Sequence, residues 1–207
     1  MSRTLVMLIG TTLLLSSCAM NDRPGAAAAL PLDQEGFIVD WLMLAPFAIA
    51  DSSGADELDR VQIPREGSVM PKAGDTMKVG DKTGTWTAVK AKDYELDFNA
   101  ALGGPHEDVL GYLVAYVVAD KEQTGVTAAI GSNDEAKLYL NGKEVYKFAE
   151  TRTIAKDTDL VPGLTLHAGV NTVVFKVINE KNDWAAALRF LGKDGKPVSG
   201  LSVRLAP

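Results

Sequence analysis

Two histidines, His106 and His167, and a single cysteine, Cys18, are all that this chain of 207 residues offers for nucleophilic or imidazole chemistry. It contains no Gly-x-Ser-x-Gly, His-Glu-x-x-His or phosphate-cradling glycine motif, so no enzyme is expected. Paired carboxylates could in principle cleave a glycoside, but among so many Asp and Glu a pair means nothing until its separation is known. Oxygen donors are better represented. Asn133, Asp134, Asp157 and Asp159 are of the hard ligand type that calcium takes, and the last two fall in a loop where carbonyls could complete the shell. Asn and Asp beside Gly and Thr are equally ordinary turn residues that hydrogen-bond their own backbone. A structural calcium ion and a set of plain turns both remain open readings.

The elements that would position these residues are strands. Apolar residues recur mostly with a period of two, which sends alternate side chains to opposite faces. Tyr94, Leu96 and Phe98 alternate with Glu95 and Asp97. Val173, Phe175 and Val177 interleave with Val174, Lys176 and Ile178. Trp184, Ala186, Leu188 and Phe190 share a face, and so do Leu201, Val203 and Leu205. Residues 112–118 and 37–44 are apolar on both faces, as central strands are. Asn141-Gly142 predicts a type I′ hairpin turn, pairing Leu138 with Val145 and Tyr139 with Glu144. A short helix over residues 55–60, capped by Ser52 or Ser53, is the one helical signal. The pattern therefore predicts an all-β domain over residues 37–207, a two-sheet antiparallel β-sandwich.

Ahead of it, Arg3 and an apolar stretch over residues 5–15 form a signal peptide, residues 1–17, too short to span a bilayer. Residues 18–36 then read as a lipidated N-terminus and flexible linker, rich in Ala, Pro and Gly. Leu15-Ser16-Ser17-Cys18 resembles the bacterial lipobox, which implies that Cys18 is acylated and tethers the domain to a membrane. Ala19 after that cysteine, rather than Asp, implies the outer membrane by the same resemblance. With one cysteine the mature domain has no internal disulfide and depends on core burial. The net charge of −6, with no Lys/Arg cluster, excludes nucleic acid as a partner.

Gly131-Ser132-Asn133-Asp134-Glu135 followed by a strand ending in Asn141-Gly142 resembles a recurrent segment of galactose-binding-like and PA14-like β-sandwiches, some of them jelly rolls. The similarity continues through Arg152, residues 166–177, Trp184 and Asp194-Gly195, with Gly84-Thr85-Trp86 and the Ala45-Pro46-Phe47 region on the N-terminal side. It implies that fold and, as a functional expectation, a carbohydrate-binding module; a structural or interaction domain that docks an envelope protein is the alternative. PA14-like sugar binders hold calcium on two adjacent aspartates, and Asn133 removes one of those anionic oxygens here. A sugar site needs aromatic rings to stack on a pyranose and planar polar groups to fix its hydroxyls. Candidates are Trp86, Tyr139, Tyr146 and Trp184, with Asn141, Arg152 and Asn182. The tryptophans read better as core residues, and Arg152 as the partner of Glu150 or Asp157.

Overall fold

The computed structural model describes residues 28–207. The expected signal peptide, Cys18 and most of the expected linker lie outside them. Thirteen strands are present: β1 (Asp40–Ala48), β2 (Thr76–Val79), β3 (Lys82–Thr85), β4 (Thr87–Lys90), β5 (Leu96–Asp97), β6 (Val109–Ala119), β7 (Gln123–Asn133), β8 (Ala136–Leu140), β9 (Lys143–Phe148), β10 (Asp159–Leu166), β11 (Gly169–Asn179), β12 (Ala185–Leu191) and β13 (Leu201–Arg204). Two short helices, α1 (Gly54–Asp59) and α2 (Phe98–Leu102), and a 3₁₀ turn over Glu66–Ser68 complete the set. The larger sheet runs β4-β1-β6-β11-β8-β9, with β13 paired to the far end of β6, and the smaller runs β10-β7-β12-β5. Every pairing is antiparallel, and the two sheets form a β-sandwich as the alternation predicts.

Alternate residues of β11 and β6 carry the larger sheet's inner face. Val173, Phe175 and Val177, with Leu113, Ala115 and Val117, meet Ile130, Trp184, Ala186, Leu188 and Phe190 from the smaller sheet's side. The opposite face is also covered. Residues 49–86 fold over it as a third layer, and Leu58, Ile63, Val69, Val79 and Trp86 pack on Leu42, Leu44, Tyr112, Val114, Val174 and Ile178. That layer is why residues 112–118 show no polar face.

Several expectations need correction. The apolar run 37–44 is divided between the sheets: Phe37 bridges Arg189 and Ile38 donates to Leu188 O (2.9 Å), whereas Asp40 onward pairs with β4 and β6. The alternation at Tyr94, Leu96 and Phe98 gives a strand of only two residues, because the Asp97 carboxylate accepts from Ala100 N and caps α2. The linker ends earlier than residue 36. Leu30 pairs with Val203 through two backbone bonds, and the Asp33 carboxylate accepts from Glu35 N and Phe37 N, fixing the entry to the sandwich. Helix α1 forms where expected after Ser53, whose side chain makes no cap bond. In the Asn141-Gly142 hairpin both residues have positive φ, 52° and 82°, and Tyr139 does face Glu144. A register shift between Leu138 and Tyr139 then places Leu138 opposite Tyr146, not Val145.

Candidate functional site

Three loops meet at one end of the sandwich: the turn from β7 into β8, the segment 151–153 after β9, and the β11–β12 connection at 180–183. They enclose a basin of about 670 Å³ lined by Asn133, Asp134, Thr151, Arg152, Thr153 and the four residues from Glu180 to Asp183. The structure thus brings together Asn133, Asp134, Arg152 and Asn182 from the sequence candidates. Glu180, Lys181 and Asp183 join them through a connection that carries no motif, so only the fold reveals their place.

Asp134 organises the basin. Its carboxylate accepts from Arg152 N (2.9 Å) and Glu180 N (3.1 Å), stapling all three loops, while its own N–H donates to Ile178 O. The Asn133–Asp134 peptide bond is cis. Asn133 is 5 % exposed, and its side-chain oxygen is buried without a partner among the described residues. An amide oxygen in that condition costs roughly 1–3 kcal/mol relative to a bonded one.

Arg152 forms the basin wall, but its guanidinium is largely committed elsewhere. Nε donates to Ser132 O (3.1 Å), Nη1 to Asp159 Oδ2 (2.5 Å), and Nη2 to Ser132 Oγ (2.6 Å) and Tyr146 Oη (2.9 Å). Its plane lies over the Phe148 ring at 3.9 Å. The pairing is therefore with Asp159 rather than Glu150 or Asp157. Burial, with the neighbouring Asp159 acceptor, pushes the Tyr146 phenol upward against the smaller opposing pull of Arg152, so Tyr146 stays a donor.

Four of the seven aromatic or polar ligand candidates are placed elsewhere, and Tyr146, held by Asp159 and Arg152, does not line the basin either. Trp86 and Trp184 are core residues; Trp184 stacks on Phe98 with centroids 4.2 Å apart. Tyr139 donates to Glu66 Oε2 (3.0 Å) and lies beneath Gly67, where even a Cβ would come within 2.6 Å of its ring. Asn141 clamps the hairpin, donating to Asn171 Oδ1 and accepting from Thr172 N. None of them presents a stacking face to the basin. The four expected calcium ligands do not converge either. Asp157 is held by the Arg189 fork and Asp159 by Arg152 and Tyr146, while Asp134 is filled by backbone N–H groups. Among the described residues no group of three or more His, Cys, Asp or Glu stands close enough to hold a metal.

No family model matches the chain, and no curated protein matches it. Among solved structures, the crystal structure of the PA14 domain of the antifreeze protein MpAFP is similar, with a TM-score of 0.41 and 9 % sequence identity, covering 90 % of this chain and 97 % of that one.

Proposed function

We propose that this chain is a non-catalytic binding lipoprotein that recognises a glycan in the polar basin at the end of its sandwich. The observation that carries the reading is the basin itself, a hollow of about 670 Å³ in which amide, hydroxyl and charged groups from three loops come together. Its size lies within the range of small-ligand sites, and its lining suits a polyol that both donates and accepts. No aromatic ring lines it, so recognition proceeds through hydrogen bonds to hydroxyls rather than through stacking. Attachment at Cys18 and an outer-membrane location belong to the same proposal and rest on the Leu15-Ser16-Ser17-Cys18-Ala19 run.

The test is a glycan array probed with the domain from Ala28 onward, in calcium and again in chelator. Selective retention that is lost in Asn182→Ala and Thr153→Ala, both folded by circular dichroism, is the expected result. Retention by no glycan in either condition, or hits indifferent to both substitutions, would overturn it, and the first of these results would favour docking to an envelope protein.

A further inference from the structure

The basin at the end of the sandwich carries a charge imbalance that bears on which glycans suit it. Its lining holds three carboxylates, Asp134, Glu180 and Asp183, against two cations, Arg152 and Lys181. Both cations are already engaged. Arg152 Nη1 meets Asp159 Oδ2 at 2.5 Å, and Lys181 Nζ stands among Asp108 (2.8 Å), Asp51 (3.6 Å) and Glu107 (3.8 Å). None of those four acids lines the basin. Each basin cation is therefore neutralised by carboxylates outside the lining, and has little charge left to offer a ligand.

The basin carboxylates are in the opposite condition. Asp134 accepts only from backbone, from Arg152 N (2.9 Å) and Glu180 N (3.1 Å), bonds that fix its position and leave its charge in place. Glu180 accepts through Oε1 from Gly54 N (3.1 Å), again an uncharged donor. Asp183 is exposed and has no ion-pair partner among the described residues. The same field is felt next door at Glu135, where burial raises the pKa and Glu180 and Asp134 add to the rise. Fixed charges of one sign around a hollow draw in cations and turn anions away. Acidic groups alone would say no more than that. Thr151, Thr153 and Asn182 in the same lining add hydroxyl and amide groups, which ask for a ligand with hydroxyls as well as positive charge.

We infer that the basin selects an amino sugar, whose free ammonium is received by Asp183 and Glu180 while its hydroxyls meet Thr151, Thr153 and Asn182, and that it disfavours uronic acids. The inference rests on the glycan-binding reading above and deepens it by fixing the sign of the ligand's charge. An ammonium has three donors and no acceptor, so it complements carboxylates that lack a charged partner. N-acetylation removes that charge, and a uronate brings a like charge against Glu180 and Asp183.

The experiment is calorimetric titration of the chain, in chelator and at low ionic strength, with a glucosamine tetramer, its fully N-acetylated counterpart, a galacturonic acid tetramer and tetralysine. The glucosamine tetramer should bind about fivefold more tightly than its acetylated counterpart, the gain expected of a solvent-exposed ion pair, and the galacturonate most weakly. Added salt should shrink the advantage, and so should raising the pH through the ligand's amine pKa, where the ligand loses its charge and the carboxylates keep theirs. Asp183→Asn, which keeps the side chain's shape at an exposed position and orphans no ion-pair partner among the described residues, should lower the advantage by about twofold. An acetylated or acidic tetramer that binds as tightly as the amino form overturns this inference and leaves the glycan reading standing. Tetralysine binding as tightly as the amino tetramer also overturns it, because charge without hydroxyls would then suffice. So does an advantage that Asp183→Asn leaves undiminished. Binding of no glycan at all overturns the inference together with the reading on which it rests.

Discussion

Phe175 and Lys176 are neighbours on β11, both wholly buried, and they face two interiors of different kinds. Phe175 points between the sheets into a continuous apolar cluster. Lys176 points under the outer layer. There its ammonium donates to Glu57 O (2.7 Å), Arg60 O (2.7 Å) and Leu58 O (3.3 Å) and stands 3.3 Å from Glu66 Oε1. Glu66 is buried in turn and accepts from Tyr112 Oη (2.5 Å), Tyr139 Oη (3.0 Å) and Gln62 N (3.2 Å). Burial draws the Lys176 pKa down while Glu66 works against that shift. The first interior is organised by apolar area, which has no direction. The second is organised by a donor that reaches carbonyls at the end of a particular helix.

The reason lies in α1. Six residues are too few to be stable as an isolated helix, it has no side-chain N-cap bond, and no basic residue of its own sits in its last turn. The carbonyls left open at its C-terminus need donors, and Lys176 brings an ammonium across from the sheet to meet them. The outer layer is thus held by a polar pin through an otherwise apolar contact.

The largest expected effect tests this contrast directly. Lys176→Ala leaves Glu66 buried without its cation, a change that costs roughly 3–5 kcal/mol in other buried pairs. Phe175→Ala should cost a similar amount, roughly 3–5 kcal/mol, by leaving a cavity. Their distribution separates them. Hydrogen exchange should show Lys176→Ala releasing residues 54–68 ahead of the sheets, whereas Phe175→Ala lowers protection throughout the sandwich. Equal effects on both regions from both variants would erase the distinction between the interiors.

How far these interiors could be read from the sequence follows from the same contrast. Period-two alternation reports apolar area, so the faces of β11 and β12 that meet between the sheets, and the sandwich itself, were legible. Asn141-Gly142 was legible because positive φ is a local demand. Lys176 was not: a lysine between Val174 and Ile178 or Phe175 and Val177 gives no sign that backbone carbonyls from more than a hundred residues earlier will receive it. The bulge that moved Leu138 to Tyr146 likewise leaves no mark in residue types. Among the site residues, Asn133, Asp134, Arg152 and Asn182 were found because turn and charge chemistry singles them out. Trp86 and Trp184 were candidates for their rings alone, and burial depends on what the chain packs over them.

A second charged group under the outer layer gives a pH-dependent test of intermediate size. Glu135 is buried against the start of α1, so close to Gly54 that a Cβ there would lie 2.5 Å from its carboxylate, and one carboxylate oxygen has no partner. Burial raises its pKa, and Glu180 and Asp134 add to the rise against a lowering backbone hydrogen bond. A raised carboxyl pKa means that the folded state holds the proton more tightly than the unfolded state. Stability from this group is therefore full below the ordinary carboxyl range and is lost as pH climbs through the raised folded value. Glu135→Gln should stabilise the domain at neutral pH and flatten the curve in that window, as measured by urea midpoints across pH. Asp59 runs the other way: Lys147 and Lys137 hold its carboxylate down at about 2, so its contribution is full above the ordinary carboxyl range and is lost as pH falls toward that value. A Glu135→Gln curve parallel to the wild type would show that the outer interior tolerates this charge as water does.

The smallest effect concerns the hairpin that borders the outer layer at Ser68. A side chain at Gly142 would meet only Ser68 Cβ at 3.5 Å, an ordinary contact, so space does not forbid it. Its φ of 82° does the discriminating. A β-branched residue is poorly suited to that conformation, and Gly142→Val should cost about 1–2 kcal/mol. Asparagine visits the left-handed region with less strain, so Gly142→Asn should retain most of that stability. The pair is compared by urea denaturation at one pH. A Val–Asn gap confirms that backbone conformation sets this edge, while equal losses would place the cost in contacts with Ser68 and make the hairpin tip part of the outer layer's packing rather than a turn that stands by itself.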